Sequence, residues 1–578
     1  MSKKTVAISV VLVICLVLEA FVIFNRKKGV ESISINLSDL TYKENSNYTD
    51  LRVYSKDDFE SFLSDYKSGN LPSVYVTEFV FDGVGMYKTY DLDDFIEDGN
   101  YLDIDAFKTT AVNINTTGKV VLSGDLKGMI LVNTNDISDD IDIVLDGVNI
   151  DSDSKKIPAV YVYNKDISYS EHKVTISALE GTKNYIEGGK FKKVSLVGSD
   201  ELSNYSSKYT GETSEWYSKY TNYYGVYTSD QIDDIIFAKV TASSDDLKDG
   251  DPYYFYKGAG AISSDIDLYF NGAGYLEVTS SKEGIETKGN LVFSGGIGDY
   301  VVNSQDDCLN TTTKNGDNVR NNMVIDVNSL TAIVDIDADE GDALDSNGTL
   351  TINGGTIIAL SHPGADAGLD SENGTYINGG TIIATGDMYD EIKSDSKQSF
   401  IGLSFMEKVN ADDIITFTSG NNVIFSYKTD RSYSNLVYSS NKLVDGDYSL
   451  YKNGTVVGES VFGFYNSVDS FSDGITLGYA GTGMNFGGGF NGMPGDRPDM
   501  NNQDIENKGD IPNELDEANR PERPDDMGDK IDMQEMTPPD NNGPMDSNNF
   551  VGFESANKVF TISGISNLFS GIVTYSVE

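Results

Sequence analysis

The sequence is poor in histidine, cysteine and positive charge, and each shortage argues against a class of function. Only two histidines, His172 and His362, occur in 578 residues, and neither lies in a metal-binding or catalytic motif. Zinc hydrolases and hydrolases with a Ser/His/Asp triad are therefore disfavoured. The two cysteines are Cys15, in the apolar N-terminus, and Cys308. They provide no disulfide framework.

Basic residues are outnumbered two to one by acidic ones. The chain has 43 Lys and Arg against 91 Asp and Glu, a formal net charge of -48. Nucleic acid is not expected as a partner, because binding it requires a basic surface. A disordered acidic chain is also disfavoured, since 11% of the residues are aromatic. The composition instead indicates a folded acidic protein with many sites for divalent cations.

The N-terminus carries the one long apolar run. Residues 5–24 contain no charged side chain except Glu19, and basic residues lie on both sides. Twenty helical residues span about 30 Å, the thickness of a bilayer core. We therefore expect a single N-terminal transmembrane segment within residues 1–29, with the rest of the chain extracellular and anchored at the cell surface. A cleaved signal peptide is the alternative.

Composition divides the remainder of the chain into regions. A small α/β region comes first, with Phe59, Phe62 and Tyr66 at helical spacing. Short runs rich in β-branched residues then alternate with Gly, Asn and Asp, which is typical of an all-β domain. The expected regions are the α/β region 30–105, the β domain 106–475 with a Tyr-rich insertion at 200–250, a disordered Gly/Asn/Asp/Met/Pro-rich segment 476–550, and a C-terminal strand pair 551–578.

A repeat runs through the β domain. The sequence TINGGTIIA at residues 351–359 recurs as YINGGTIIA at residues 376–384. Apolar residues continue the register at separations of 23, 24, 35, 25 and 23 residues, and the longest interval contains an extra loop near residues 313–322. This period predicts a parallel β-helix with one rung per repeat. The residues expected to form its inward ladder are Ile262, Ile285, Leu309, Leu344, Leu369 and Ile392.

Acidic and amide side chains recur at fixed positions beside this ladder. On rungs about 4.8 Å apart they would repel one another unless a cation lay between them. Such an ion would lie about 2.4 Å from each oxygen, within the calcium range, whereas magnesium, zinc and copper fit this oxygen set less well. A solvated edge without an ion is the alternative. The expected Ca²⁺ ligands are Glu283, Glu286, Asp306, Asp307, Asn310, Asp339, Glu340, Asp342, Asp345, Asp366 and Asp370.

These residues also carry a family resemblance. The run DALDSNGTLTINGGT at residues 342–356, with KEGIE at 282–286 and DDCLN at 306–310, resembles the secreted bacterial carbohydrate-binding right-handed β-helix proteins. The sequence IDIVLDGVN at 141–149 resembles the N-terminal rungs of that family. The resemblance spans roughly residues 106–475 by the repeat register. It implies a right-handed parallel β-helix, similar in fold to pectate lyases, that contains calcium and binds polygalacturonate and cellulose-like polysaccharides.

A binding role follows most directly from this combination. Partly coordinated Ca²⁺ ions would bridge the acidic protein and an acidic polysaccharide. Trp216 and Tyr217 in the Tyr-rich insertion are candidates for stacking on sugar rings, although such rings also pack against a protein surface. Lys314 and Arg320 in the extra loop could add charge-assisted hydrogen bonds, or they could be solvated.

Two other roles remain open from the sequence. A calcium-dependent lyase would use a basic side chain to abstract a proton, and Lys288 and Lys393 lie next to the acidic edge. Lys393 also replaces the acidic residue expected on the last rung, where the metal stripe would end. A structural or adhesive surface protein would use calcium only to stabilise its fold.

Overall fold

Runs in which every second side chain is buried mark central strands of this protein. In Tyr275–Ser280 and Asp299–Ser304 the second, fourth and sixth residues are buried, as the two-residue period of a strand requires. The structure is a computed structural model. It describes residues 32–44, 47–55, 58–78, 101–102, 110–135, 137, 139–152, 158–164, 172–188, 194–197, 253–255, 260–312, 321–338, 340–364, 366–483 and 556–574.

One helix and forty strands occur in these ranges. The helix, α1, is Phe59–Ser68, and it ends at Gly69, whose φ of 69° is the left-handed conformation that commonly terminates helices. Strands in the first part of the chain are β1 Ile33–Asn36, β2 Thr41–Glu44, β3 Asn47–Asp50, β4 Arg52–Tyr54, β5 Val74–Thr77, β6 Tyr101–Leu102, β7 Ala111–Ile114, β8 Gly118–Lys127, β9 Met129–Asn133, β10 Ile141–Asp151, β11 Val160–Tyr163, β12 Val174–Ala178, β13 Lys183–Gly188, β14 Val194–Val197 and β15 Tyr253–Phe255. The central strands are β16 Ile262–Ser264, β17 Leu268–Asn271, β18 Tyr275–Ser280, β19 Ile285–Thr287, β20 Leu291–Phe293, β21 Asp299–Ser304, β22 Leu309–Thr311, β23 Met323–Val334, β24 Leu344–Ser346, β25 Leu350–Leu360, β26 Asp370–Ser371, β27 Thr375–Ile377 and β28 Thr381–Gly386. The last strands are β29 Phe400–Val409, β30 Ile414–Ser419, β31 Asn422–Lys428, β32 Tyr433–Ser439, β33 Gly446–Lys452, β34 Thr455–Val457, β35 Phe464–Tyr465, β36 Ser470–Ser472, β37 Ile475–Gly478, β38 Gly481–Thr482, β39 Phe560–Ile562 and β40 Ser566–Thr574.

Strands one repeat apart lie side by side in a ten-stranded sheet. Its order is β26-β24-β22-β19-β16-β11-β9-β7-β5-β4. The pairs β16–β19, β19–β22 and β22–β24 are parallel, and they align Ile262 with Ile285, Ile285 with Leu309, and Leu309 with Leu344. The ladder register predicted from the repeat is therefore confirmed for these four residues. Ile392 departs from it, because it forms an isolated parallel bridge with Thr375.

The ladder residues lie in the hydrophobic core. Ile262, Ile285, Leu309 and Leu344 have no exposed surface, and burying such a side chain contributes roughly 1.5–3 kcal/mol. The position before the ladder residue must be small. A Cβ atom on Gly284 would lie 2.5 Å from the backbone oxygen of Cys308. Close rung spacing therefore explains why glycine, cysteine or alanine precedes each of these four ladder residues.

The largest sheet does not form the uniform solenoid predicted from the repeat. Its hydrogen-bonded strands close into a barrel. Parallel pairing gives way at β28, which pairs antiparallel with β32. Strand β29 pairs antiparallel with β32 and parallel with β40. These later strands surround a second core rich in Phe and Tyr, which includes Phe417, Phe425 and Tyr438.

The fold-class prediction was therefore wrong in its architecture, although the all-β class is correct. The expected fold was a right-handed parallel β-helix with a small N-terminal α/β piece and an N-terminal membrane helix. The 25-residue period governs only the central repeats, and the aromatic strands after residue 400 pair mainly antiparallel. The N-terminal strands also join the two large sheets, since β1 pairs with β8 while β5 pairs with β7.

Several predicted segments fall outside the described residues. Within the described ranges, no helix is both long and apolar enough to cross a membrane. The apolar run 5–24 and the Tyr-rich insertion 200–250 lie outside them. Strand β15 begins just after the insertion. Strands β39 and β40 do occur near the C-terminus, but they pair with β33 and β29 rather than with each other.

Candidate functional site

The strand register brings the predicted acidic positions together. Glu286 pairs with Asn310, Asn310 with Asp345, and Asp345 with Asp370. Successive strand residues point to opposite faces, so these side chains project away from the core that the ladder residues fill. Three carboxylates lie two residues before the ladder on the same edge. We call this set the acidic column: Glu283, Glu286, Asp307, Asn310, Asp342, Asp345 and Asp370.

Hydrogen bonds link neighbouring rungs within the acidic column. The Asn310 side-chain nitrogen donates to Asp307 Oδ2 at 2.5 Å and to Asp345 Oδ2 at 3.2 Å. The backbone nitrogen of Asp342 donates to Asp307 Oδ1 at 2.8 Å. The backbone nitrogen of Ala367 donates to Asp342 Oδ1 at 2.5 Å. The carboxylates of Asp307 and Asp342 are thus each held in place by a backbone donor on the following rung.

The electrostatics of the acidic column disfavour ionised carboxylates. Burial, reinforced by neighbouring carboxylates, raises the pKa of Asp342 to about 9 and the pKa values of Glu283 and Asp345 to about 8. Burial and the charge of Asp390 raise the pKa of Asp370 to about 6. Burial disfavours the charged form, and so does a like charge nearby. A cation in this column would relieve both effects.

Two buried oxygens in the acidic column accept no hydrogen bond within the described part of the chain. They are Asn310 Oδ1 and Glu283 Oε2, and Asn310 is only 8% exposed. An unsatisfied buried acceptor costs about 1–3 kcal/mol. A set of ligands made only of oxygen atoms, some of which accept no hydrogen bond, suits a hard cation such as Ca²⁺. Among the described residues, however, no three His, Cys, Asp or Glu side chains already converge in a ligand cluster.

The other predicted ligands lie around the acidic column in different settings. Asp306 contacts the Lys282 ammonium, which also lies 3.5 Å from Glu283 Oε1. Asp366 Oδ2 lies 3.1 Å from Nδ1 of His362. Glu340 is exposed. Several predicted residues lie outside the described ranges, namely Asp339, Trp216, Tyr217, Lys314 and Arg320.

Neither lysine that was considered as a lyase base has the environment of one. Lys288 Nζ lies 3.3 Å from Asp265 Oδ1, and the Asp265 side chain is 1% exposed. The hydrogen bond from Lys393 to Glu391 raises the pKa of Lys393. A general base requires an amine that loses its proton near the working pH. The ion pair with Glu391 favours the protonated form of Lys393 instead, and Lys288 is held against a buried carboxylate.

Sequence reasoning missed an exposed aromatic surface on the outer side of the largest sheet. Tyr185 is 41% exposed, and its ring centroid lies 6.2 Å from that of Tyr275. Lys183 Nζ lies 5.7 Å from the Tyr275 ring, and Lys173 Nζ lies 4.9 Å from the Tyr269 ring. Strand alternation places these side chains outward, which the spacing of Tyr185 and Lys183 could have indicated. We call Tyr185, Tyr275 and Lys183 the tyrosine patch.

The raised pKa values predict an unusual pH dependence of stability. The folded pKa values of Asp342, Asp345 and Glu283 lie above their ordinary values, so the folded state binds protons more tightly. In chelator, the free energy of unfolding should therefore fall as pH rises from 5 to 9. Urea unfolding at pH 5, 7 and 9 measures this. Equal or greater stability at pH 9 would contradict the described electrostatics.

Comparison with known proteins gives one match. A family model described as "Carbohydrate-binding domain-containing protein" matches residues 108–204 and 226–428. These ranges contain the acidic column and the tyrosine patch. No curated protein matches the chain, and no solved structure does.

Proposed function

Because the chain belongs to the family of carbohydrate-binding domain-containing proteins, whose model matches over half of it, we propose that it binds an acidic, pectin-like or a cellulose-like polysaccharide in a calcium-dependent manner. The family match is the observation that carries the carbohydrate-binding role. The identity of the polysaccharide and the dependence on calcium are the finer parts of the proposal. An extracellular location at the bacterial cell surface stays a prediction from the sequence.

The net charge of the chain supports a role for a cation. A chain with a net charge of -48 repels an anionic polysaccharide. Calcium relieves this repulsion when some of its coordination positions remain open to sugar carboxylates. The acidic column offers carboxylates that burial makes costly to ionise, and it offers the unpaired Asn310 Oδ1. In this proposal, Asn310, Asp345 and Asp370 hold the ion.

The tyrosine patch supports sugar binding on a second face of the molecule. A sugar ring presents C–H groups that pack on an aromatic face and hydroxyls that hydrogen-bond at its rim. Tyr185 and Tyr275 supply aromatic surface, and Lys183 supplies a donor beside them. Trp216, Tyr217, Lys314 and Arg320 remain sequence-based candidates for further sugar contacts.

Binding is favoured over a lyase reaction. β-Elimination requires a base next to the metal. Lys288 is paired with the buried Asp265, and Lys393 is paired with Glu391. The pairing with Glu391 raises the pKa of Lys393, and the Lys288 ammonium is held against Asp265. A purely structural use of calcium does not require sugar binding. A retention experiment separates this role from polysaccharide binding and from lyase activity.

Retention on polysaccharide tests the proposal. The purified full-length chain is applied to immobilised polygalacturonate and to cellulose, in calcium, in magnesium and in chelator. We expect retention on at least one of them in calcium, weaker retention in magnesium, and release by chelator. The absorbance of unsaturated uronate products is recorded at the same time. Formation of these products would show that the chain is a lyase rather than a binding protein. Calcium-dependent melting without retention would leave only the structural role.

A further inference from the structure

A cleft of about 420 Å³ opens beside the ends of four parallel strands, β13, β18, β21 and β23. Its volume lies within the range of about 300–1,000 Å³ that is usual for small-molecule sites. The register places Glu187 beside Thr279, Thr279 beside Asn303, and Asn303 beside Ile333. These four side chains form one wall, which extends about 14 Å over three strand spacings.

An arginine fixed by hydrogen bonds lines the cleft. Arg431 Nη1 donates to the carbonyl oxygens of Val334 at 2.6 Å and Ser361 at 3.0 Å. Its Nε donates to Asp430 Oδ1 at 2.9 Å. The guanidinium thus makes its hydrogen bonds within the protein, and Asp430 balances its charge. Among the described lining residues this leaves no free cation to attract a uronate.

The remaining lining is acidic or neutral. Glu187 and Asp335 add negative charge, so an anionic sugar would be repelled at this site. The side chains of Thr279, Asn303 and Gln305 make no hydrogen bond with any described residue, and Gln305 is exposed. Ile333 and Ile336 add apolar surface, with Ile336 being 49% exposed. Free amide and hydroxyl groups beside apolar surface match the hydroxyls and C–H faces of a neutral sugar.

We propose that this cleft is a second sugar subsite, which binds an uncharged, hydroxyl-rich segment of a polysaccharide through Asn303 and Gln305. The inference rests on the proposed carbohydrate-binding function, but it does not depend on calcium. The cleft is joined to the acidic column by the chain itself. Gln305 lies two residues before Asp307 of the acidic column, and its backbone nitrogen donates to the carbonyl oxygen of Lys282 at 3.3 Å. One polysaccharide chain could therefore be held by neutral units here and by charged units at the acidic column.

The test uses a soluble cello-oligosaccharide as the neutral probe, and affinity is measured by calorimetry on the full-length chain in chelator. We expect the wild type to bind and the double variant Asn303→Ala/Gln305→Ala to bind at least about tenfold more weakly, since two hydrogen bonds are lost. Asn422→Ala, at an exposed position of β31, is the matched control and should bind like the wild type. Thr279→Arg, which fills the cleft, should also abolish binding.

Unchanged affinity in both cleft variants would overturn the inference, and so would neutral-sugar binding that requires calcium. Tighter binding of a cationic oligosaccharide, lost in the same variants, would also overturn it, because the cleft would then select charge. Retention on polygalacturonate in calcium without any binding of the neutral probe would overturn this inference but leave the proposed function standing. If the wild type binds neither probe, the proposed function fails as well. Unfolding midpoints of the variants, measured alongside, should match that of the wild type because no hydrogen bond within the protein is removed.

Discussion

Asp345→Asn is expected to remove the stabilisation of this protein by calcium. In the wild type, a calcium concentration one hundred times the dissociation constant should raise the free energy of unfolding by about 2.7 kcal/mol. Asp345 lies between Asn310 and Asp370 in the acidic column. The substitution retains the shape of the side chain and removes one negative charge. The unfolding midpoint in urea, with calcium and with chelator, measures the effect.

The same variant should be at least as stable as the wild type in chelator at pH 9. Burial and neighbouring carboxylates raise the pKa of Asp345 to about 8, so its ionisation at pH 9 works against folding. A neutral amide avoids this cost and can still accept the hydrogen bond from Asn310. Asp469→Asn, at an exposed position far along the chain, is the control and should retain the wild-type response to calcium. An equal calcium response in Asp345→Asn would remove the acidic column as the ion site.

Arg431→Met is expected to lower the free energy of unfolding by about 2–5 kcal/mol, because each unsatisfied buried acceptor costs about 1–3 kcal/mol. Arg431 is 4% exposed. Its guanidinium is the donor to Val334 and Ser361 at the ends of two neighbouring strands. Methionine fills much of the same volume but cannot donate. Chemical unfolding of the variant in chelator measures the loss.

Arg52→Met is the matched control for that measurement. Arg52 also pairs with a carboxylate, since its Nη2 lies 2.7 Å from Asp65 Oδ2, but its side chain is 49% exposed. Exposed ion pairs contribute about 0–1 kcal/mol. The control should therefore lose no more than about 1 kcal/mol. Similar losses in the two variants would show that the buried carbonyl contacts of Arg431 do not stabilise the fold.

The pairing register within the central repeats could be predicted from the sequence. Ile262, Ile285, Leu309 and Leu344 recur in phase because each rung must bury an apolar side chain at the same point. Once that register is known, Glu286, Asn310 and Asp345 must lie side by side. The side-by-side placement of these three residues therefore follows from periodicity alone.

The closure of the large sheet could not be predicted in the same way. Strands such as β29 and β32 lack the repeat, and alternation alone does not distinguish parallel from antiparallel pairing. Ile392 shows the limit of the period, because its bridge to Thr375 lies outside the ladder.

The contacts of long charged side chains could not be predicted from the sequence either. Lys282 and Arg431 resemble solvated residues in sequence, yet Lys282 contacts Asp306 and Arg431 binds buried carbonyls.

Retention on polygalacturonate, measured across a calcium titration with the wild type and Asp345→Asn, tests the central claim most directly. The proposal predicts that the bound fraction of the wild type rises with calcium and returns to background in chelator. It predicts a clearly smaller rise for the variant, while Asp469→Asn follows the wild type. A bound fraction that is independent of calcium, or that is the same in wild type and Asp345→Asn, would contradict calcium-dependent binding through the acidic column.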